Sequence, residues 1–346
     1  MVGDMQKLRG LCLGQEEFPQ QIIDWIEQNN LWNLWVPKAY GGLELSLPEG
    51  LKKLRSLAQI DGSLGWTVTL CSGANFFIGN LEGKVANEIF GDQERTVCFG
   101  GSGGVFGVAD KFGDGYTITG TWKYATGAPY LTHFTLNAKI QEGGKDLLLD
   151  NGDPMIRSFV LKREDVRVVK DWDAMGLKAT ATHSFEVKSK WVHGKYSFIY
   201  NDLHLPHSIF KIPFSVFADL TLWVNYMGMA AYILEEAQKL SIPDVPLDKL
   251  LATITSADQS AMGFATHVQT LVESDGEVPE SLVAKIHEEA SNVVESLSHE
   301  IIALYPFLGI RAAREDHPLN QGFRDYFTAT QHHIFSKLGR RNGGRR

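Results

Sequence analysis

Cysteine is scarce in this chain of 346 residues: Cys12, Cys71 and Cys98 are widely spaced and form no C-x-x-C pair. An odd number of scattered thiols argues against a disulfide framework and a thiolate zinc site, and it points to a reducing, cytoplasmic setting. Positive charge is short as well. Lys and Arg number 33 against 41 Asp and Glu, a net charge of -8, with an isoelectric point near 5.8. That balance leaves no electrostatic footprint for nucleic acid. The one basic cluster is RRNGGRR from Arg340, which reads as a solvated tail. No basic segment followed by an apolar core opens the chain, so no secretory signal is expected. A single apolar run approaches membrane length, Pro213 to Leu234, but Asp219 and Asn225 sit inside it and would be costly in lipid. A helix buried on several sides of a bundle or subunit interface is expected instead, and no membrane partner. Internal repeats and low-complexity blocks are absent.

What is present is 44% apolar residues, enough for a large core, and a change of texture along the chain. Residues 1–94 read as a helical domain. Ser46, Pro48 and Glu49 form a helix start, with Leu51, Leu54 and Ala58 on one face, and a second helix is expected over Asp61 to Phe77. Over residues 95–205 short alternating runs rich in Val, Ile, Thr and aromatics are separated by Gly and Asp, which predicts a β domain, a small barrel. Over residues 206–346 helices return as a four-helix bundle: Pro213 to Leu240, Asp248 to Glu273, Pro279 to Leu304, and Leu319 to about Lys337. The third carries Leu282, Ile286, Ala290, Val293, Leu297, Ile301 and Leu304 at steps of four and three. The predicted class is α+β in the order helices, β domain, four-helix bundle. The apolar run from Trp223 to Ile233 exceeds what one helix face buries, so a homo-oligomer, dimer or tetramer, is expected.

Gly100-Gly101-Ser102-Gly103-Gly104 fits the G-x-S-x-G pattern, but no helix follows it, which argues against a hydrolase elbow and equally against a dinucleotide fingerprint. A glycine-rich loop leaving a strand can still bring backbone N–H groups close to a flat ligand. His332 and His333, adjacent in the expected last helix, diverge by about 100° and cannot share a metal. His204 and His207 flank a Leu-Pro turn. No metal site is expected.

Several segments in order resemble the acyl-CoA dehydrogenase-like flavoprotein superfamily: VPKAYGG at Val36, AQIDGSLGW at Ala58, GDGYTITGTWKYATG at Gly113 and WDAMGLKATATHSFEV at Trp172. The C-terminal pattern Pro318, Leu319, Arg324, Asp325, Ala329 and His332 is most similar to that of the two-component flavin monooxygenases of the 4-hydroxyphenylacetate hydroxylase and dibenzothiophene monooxygenase type. Dehydrogenases of this superfamily need a carboxylate eight residues after the Asp. Here offsets seven and eight from Asp325 are His332 and His333.

The resemblance implies a flavin-dependent oxidoreductase, an oxygenase component that takes reduced FAD or FMN from a separate flavin reductase and uses oxygen to hydroxylate a small aromatic or heterocyclic substrate. It assigns cofactor binding to Ser102, Trp122, Tyr124, Thr126, Gly127, Thr180, Thr182 and Arg324. The proton-handling position falls to His332, with His333 as the fallback. Departures from the pattern are Val105-Phe106-Gly107-Val108-Ala109 in place of P-x-G-x-A, Ala181 in place of a frequent glycine, and a short link SIPDVPLDK without the Arg-x-x-Phe that holds the adenine half of FAD. These favour loose binding of a reduced flavin. An acyl-CoA dehydrogenase using Glu315 or a bundle carboxylate, and a flavin-binding paralogue without turnover, are the rival readings.

Overall fold

The computed structural model describes residues 2–91, 96–240 and 246–335. The basic run from Arg340, the last expected helix beyond residue 335, and residues 241–245 of the bundle link lie outside the described residues.

Helices come first: α1 (Val2–Cys12), α2 (Gln20–Gln28), α3 (Leu47–Ile60), α4 (Gly62–Asn75) and α5 (Gly83–Phe90). Helix α3 starts where its capping pattern predicts, with the Ser46 N–H donating to Glu49 Oε2 at 2.9 Å and Leu51, Leu54 and Ala58 buried. Asp61 caps α4 by accepting from the Leu64 N–H at 2.9 Å, which satisfies one of the donors that a helix N-terminus leaves open.

The middle of the chain is an eight-stranded sheet: β1 (Phe99–Phe112), β2 (Gly115–Ala125), β3 (His133–Glu142), β4 (Lys145–Asp146), β5 (Ile156–Lys162), β6 (Arg167–Val169), β7 (His183–His193) and β8 (Ser197–Phe198). The hydrogen-bonded path runs β6-β7-β2-β1-β3-β5-β8, so the expected small barrel is realised as a sheet whose path ends at β6 and β8. Gly100–Gly104 is part of β1 and not a loop leaving it. Gly100 and Gly101 pair with Phe134 and Thr135 of β3, and a Cβ on Gly101 would lie 1.7 Å from the Thr135 carbonyl oxygen. The ladder then slips between Ser102 and Val105, a bulge at the glycine run.

The C-terminal part consists of α6 (Phe214–Gln238), α7 (Leu247–Glu273), α8 (Glu280–Leu304), the short α9 (Ile310–Ala313) and α10 (Pro318–Ala329). Helix α6 is buried without a break from Asp219 to Leu234 and packs on α3, α4, α7, α8 and α10. The two polar residues that argued against a membrane span find partners inside the bundle, Asp219 meeting His287 Nδ1 at 3.1 Å and the Asn225 amide donating to Thr69 at 2.7 Å, although the Asn225 Oδ1 has no partner. No helix among the described residues is long and apolar enough to cross a membrane.

One helix ends earlier than expected. Helix α10 stops at Ala329, and residues 330–335 form turns, so His332 and His333 are not on a helix. Their rings do not diverge as helical neighbours would; the centroids lie 4.5 Å apart.

Candidate active site

Strand β2 divides its aromatic residues between two environments. Trp122 is fully buried, stacked on Phe185 at 5.5 Å, and donates its indole N–H to the Asn137 carbonyl at 2.8 Å. Its ring lies over Gly107 and Gly120, facing partners in β1 and β2 where a Cβ would come within 2.4 and 2.7 Å of the indole. Trp122 is therefore core, and its assignment to a cofactor face is corrected. Tyr124, two residues on, is 44% exposed and meets Trp172 edge-on at 5.7 Å. Strict alternation would put both rings on one face. The β2–β7 register slips between Trp122 and Ala125, and that slip turns Tyr124 outward.

Beyond the slip runs a seam of three hydroxyls. Thr180 donates to the Leu177 carbonyl at 2.6 Å and contacts Thr182 at 2.7 Å, and Thr182 donates to Thr126 at 3.2 Å. Among the described residues no contact claims the hydroxyl proton of Thr126, so it is available to a bound group. Gly127, in the left-handed region at φ 76°, donates its N–H to the Thr180 carbonyl at 2.8 Å and packs against Cys71 and Thr67 of α4. Ser102 supports the same region from β1, donating to the Lys123 carbonyl at 2.9 Å, so its proton is already committed. Arg324 lies beside the turn before β7, donating to the Met175 carbonyl at 2.9 Å and to Asn320 at 2.8 Å.

Helix α4 connects this seam to the histidines. Trp66 meets His332 edge-on at 5.5 Å, while Thr67, the next residue, faces Gly127. The Ala329 carbonyl accepts from both the Tyr226 hydroxyl (2.5 Å) and the His332 N–H (2.9 Å), so the turn carrying His332 is anchored to α6. His332 is half-buried as a residue, but its Nδ1 is sealed from solvent and has no hydrogen-bond partner. Loss of hydration, assisted by His333, pushes its pKa down to about 3, so the imidazole is neutral at neutral pH. His333 is exposed. Thr67 carries a buried hydroxyl without a partner. Glu315, the rival base, is exposed outside this region, and Asp219 is occupied by His287. Among the described residues no cluster of three metal-ligating side chains occurs.

The residues fit a flavin. An exposed aromatic ring, an uncommitted hydroxyl proton and a guanidinium beside the turn give a flat, polar-edged ligand stacking and hydrogen-bonding partners. The sequence did not single out Trp66 or Thr67 as site residues. Their only signal was the position of Trp66 five residues after the Asp61 cap.

Residues 232–337 match the family model described as acyl-CoA dehydrogenase, C-terminal domain. The chain is 27% identical over 259 residues to indole-3-acetate monooxygenase of Pseudomonas putida, an alignment covering 71% of this chain and 63% of that protein, less than two thirds of its length. It is 19% identical over 341 residues to the oxygenase subunit HsaA of a flavin-dependent monooxygenase of Mycobacterium tuberculosis, covering 91% and 84%. Among solved structures, XiaF from Streptomyces sp., in complex with FADH2 and glycerol, superposes with a TM-score of 0.86 at 20% identity over 98% of this chain and 91% of that one. At that identity the likeness speaks for the fold. The chain thus has the acyl-CoA dehydrogenase-like fold, and the sequence relatives it resembles are named as monooxygenases, one of them the oxygenase subunit of a flavin-dependent monooxygenase.

Proposed function

We propose that this chain is the oxygenase component of a two-component flavin-dependent monooxygenase that hydroxylates a small aromatic or heterocyclic compound. The observation that carries the reading is His332: a neutral imidazole with a buried, unpartnered nitrogen beside Trp66, at the end of the chain where a dehydrogenase needs a carboxylate. An acyl-CoA α-proton requires a base much stronger than this one. A phenol or an indole N–H needs only a nearby acceptor at the moment of reaction.

Thr126, Thr180, Thr182, Gly127, Tyr124 and Arg324 would hold the flavin, with Ser102 shaping the strand behind it. When bound, reduced FAD or FMN supplies the electrons that activate oxygen. The chain's own part is to exclude water and place one hydroxyl proton at Thr126, and to offer His332 Nδ1 as acceptor to the substrate. The monooxygenase relatives support a separate flavin reductase as partner; the apolar run of α6 that suggested a dimer or tetramer is buried within the single chain and lends the oligomer no support. A cytoplasmic setting fits three free, buried cysteines.

The test is stopped-flow absorbance of the anaerobic protein with reduced FAD or FMN, mixed with oxygen. Oxidised flavin should appear later than it does in buffer. Oxidation at the rate of free flavin would overturn the reading, and bleaching of bound oxidised FAD by an acyl-CoA would replace it with a dehydrogenase.

A further inference from the structure

The Thr180–Thr182–Thr126 seam hangs on a turn that closes through the Thr180 N–H to the Leu177 carbonyl at 3.2 Å and the Ala181 N–H to the Lys178 carbonyl at 3.0 Å, and that is tied to α10 from outside. Leu177 and Ala181 both sit in the left-handed region, at φ 51° and 42°, without being glycine, a backbone state that costs on the order of 1–2 kcal/mol per residue. Leu177 is buried, and its N–H has one partner, the carboxyl of Asp325 on α10, at 2.5 Å. Its carbonyl takes both the Thr180 hydroxyl and the Trp172 indole N–H at 3.0 Å. The turn also lies directly on the α10 backbone, since a Cβ on Gly176 would fall 2.2 Å from the Arg324 carbonyl.

Asp325 is 3% exposed, and its second oxygen, Oδ2, has no partner. It belongs to a junction of four segments. Gln321 donates to Asp61 Oδ2 at 2.8 Å and accepts from the Gly14 N–H at 2.7 Å, while Asp61 caps α4. Gly62 has no room for a side chain, because a Cβ there would approach the Asp325 Cβ to 2.8 Å. The groups facing the two carboxyls are Arg324 on α10, Arg9 and Cys12 on α1, and Tyr232 on α6; Arg9 is itself engaged by Glu235 and Glu236.

We propose that Asp325 is a positioning residue whose carboxyl, by gripping the Leu177 amide, sets the turn that presents Thr180, Thr182 and Thr126 to the flavin. Its link to flavin rests on the function proposed above; its grip on the turn does not. Burial raises the pKa of both acids, and the charge of Asp61 adds to the rise at Asp325, to about 8 against about 6 for Asp61, so the pair retains about one proton at neutral pH. Asparagine is then a close mimic of Asp325, keeping its acceptor oxygen and its shape.

The experiment is amide hydrogen exchange over residues 176–182, corrected for intrinsic rates, together with anaerobic titration by reduced FAD, on wild type, Asp325→Ala and Asp325→Asn. Asp325→Ala should speed exchange in this turn about tenfold relative to the β1–β3 amides and weaken reduced FAD about tenfold, the scale of one lost buried hydrogen bond. Asp325→Asn should restore both. If Asp325→Ala does not fold, the pH dependence decides. Wild-type protection of the turn should rise from pH 6 to pH 9, because the ionised carboxyl accepts the Leu177 N–H more strongly than the neutral one, and Asp325→Asn should stay flat. Exchange unchanged in Asp325→Ala, raised equally everywhere, or equally pH-dependent in Asp325→Asn would overturn the proposal. Should the turn loosen with no effect on a measurable flavin affinity, its link to the cofactor falls. Should wild type fail to bind reduced flavin while the exchange results hold, the flavin reading falls and the grip stands.

Discussion

Two buried titratable sites flank α4, and they differ in what they leave open. At one, His332 packs on Trp66 with Nδ1 unpartnered; at the other, Asp325 is tied through Oδ1 to a backbone N–H and, through Gln321 on its own helix, linked to Asp61. Burial drives both toward the neutral form, the histidine down and the acids up. The comparison teaches that neutrality alone does not mark chemistry. On the function and the positioning role proposed above, the site with the spare nitrogen exchanges a proton with substrate and the site bound to backbone is scaffold.

The sharpest way to break this contrast is His332→Ala. Removal of a positioned proton acceptor should cut hydroxylation per flavin oxidised by roughly a hundredfold or more while reduced-flavin affinity stays near wild type. Product yield against flavin turnover measures it; an unchanged yield would hand the role to His333. Next in size is Trp66→Ala, which empties a site only 5% exposed and should cost about 3–5 kcal/mol by urea denaturation.

A pH series separates the two sites by sign. Asp325 and Asp61 bind protons more tightly in the folded state, so their contribution is greatest near the unfolded pKa of about 4 and is lost as pH rises through 6 and 8. His332 binds its proton less tightly when folded, so its contribution is intact above about 6.5 and is lost as pH falls toward 3. Melting temperatures from pH 4 to 9 should show the alkaline loss shrink in Asp325→Asn and the acid loss shrink in His332→Ala. The smallest effect concerns Ala181: at φ 42°, Ala181→Gly relieves left-handed strain at the expense of extra unfolded-chain entropy, a net gain of about 0.5 kcal/mol by denaturant titration.

Local signals in the sequence carried far. The Ser46 cap, the α8 stripe and the helical reading of the Pro213 run depend on contacts within a few turns, and the stripe needed two adjustments: Val294, not Val293, is the buried position, and Leu282 is only half-buried. The site was legible as composition more than as geometry. Thr126, Thr180 and Thr182 do form one seam, yet Trp122 was misplaced because no residue type announces the register slip before Ala125. The early end of α10 lacks a glycine or proline to mark it; Thr330 closes the helix without either. Asp325 was visible as part of a pattern, but its partner is 148 residues away, and no local rule reaches that far.

That long reach bears on the order in which the protein can be assembled. Gln321 ties back to Gly14 across 307 positions and to Asp61 across 260, and Asp325 closes the Leu177 turn. During synthesis the helices and the sheet leave the ribosome well before the segment that locks them together. A nascent chain therefore has its hydroxyls before it has the clasp that aligns them, and the Leu177 turn is set only after α10 has emerged.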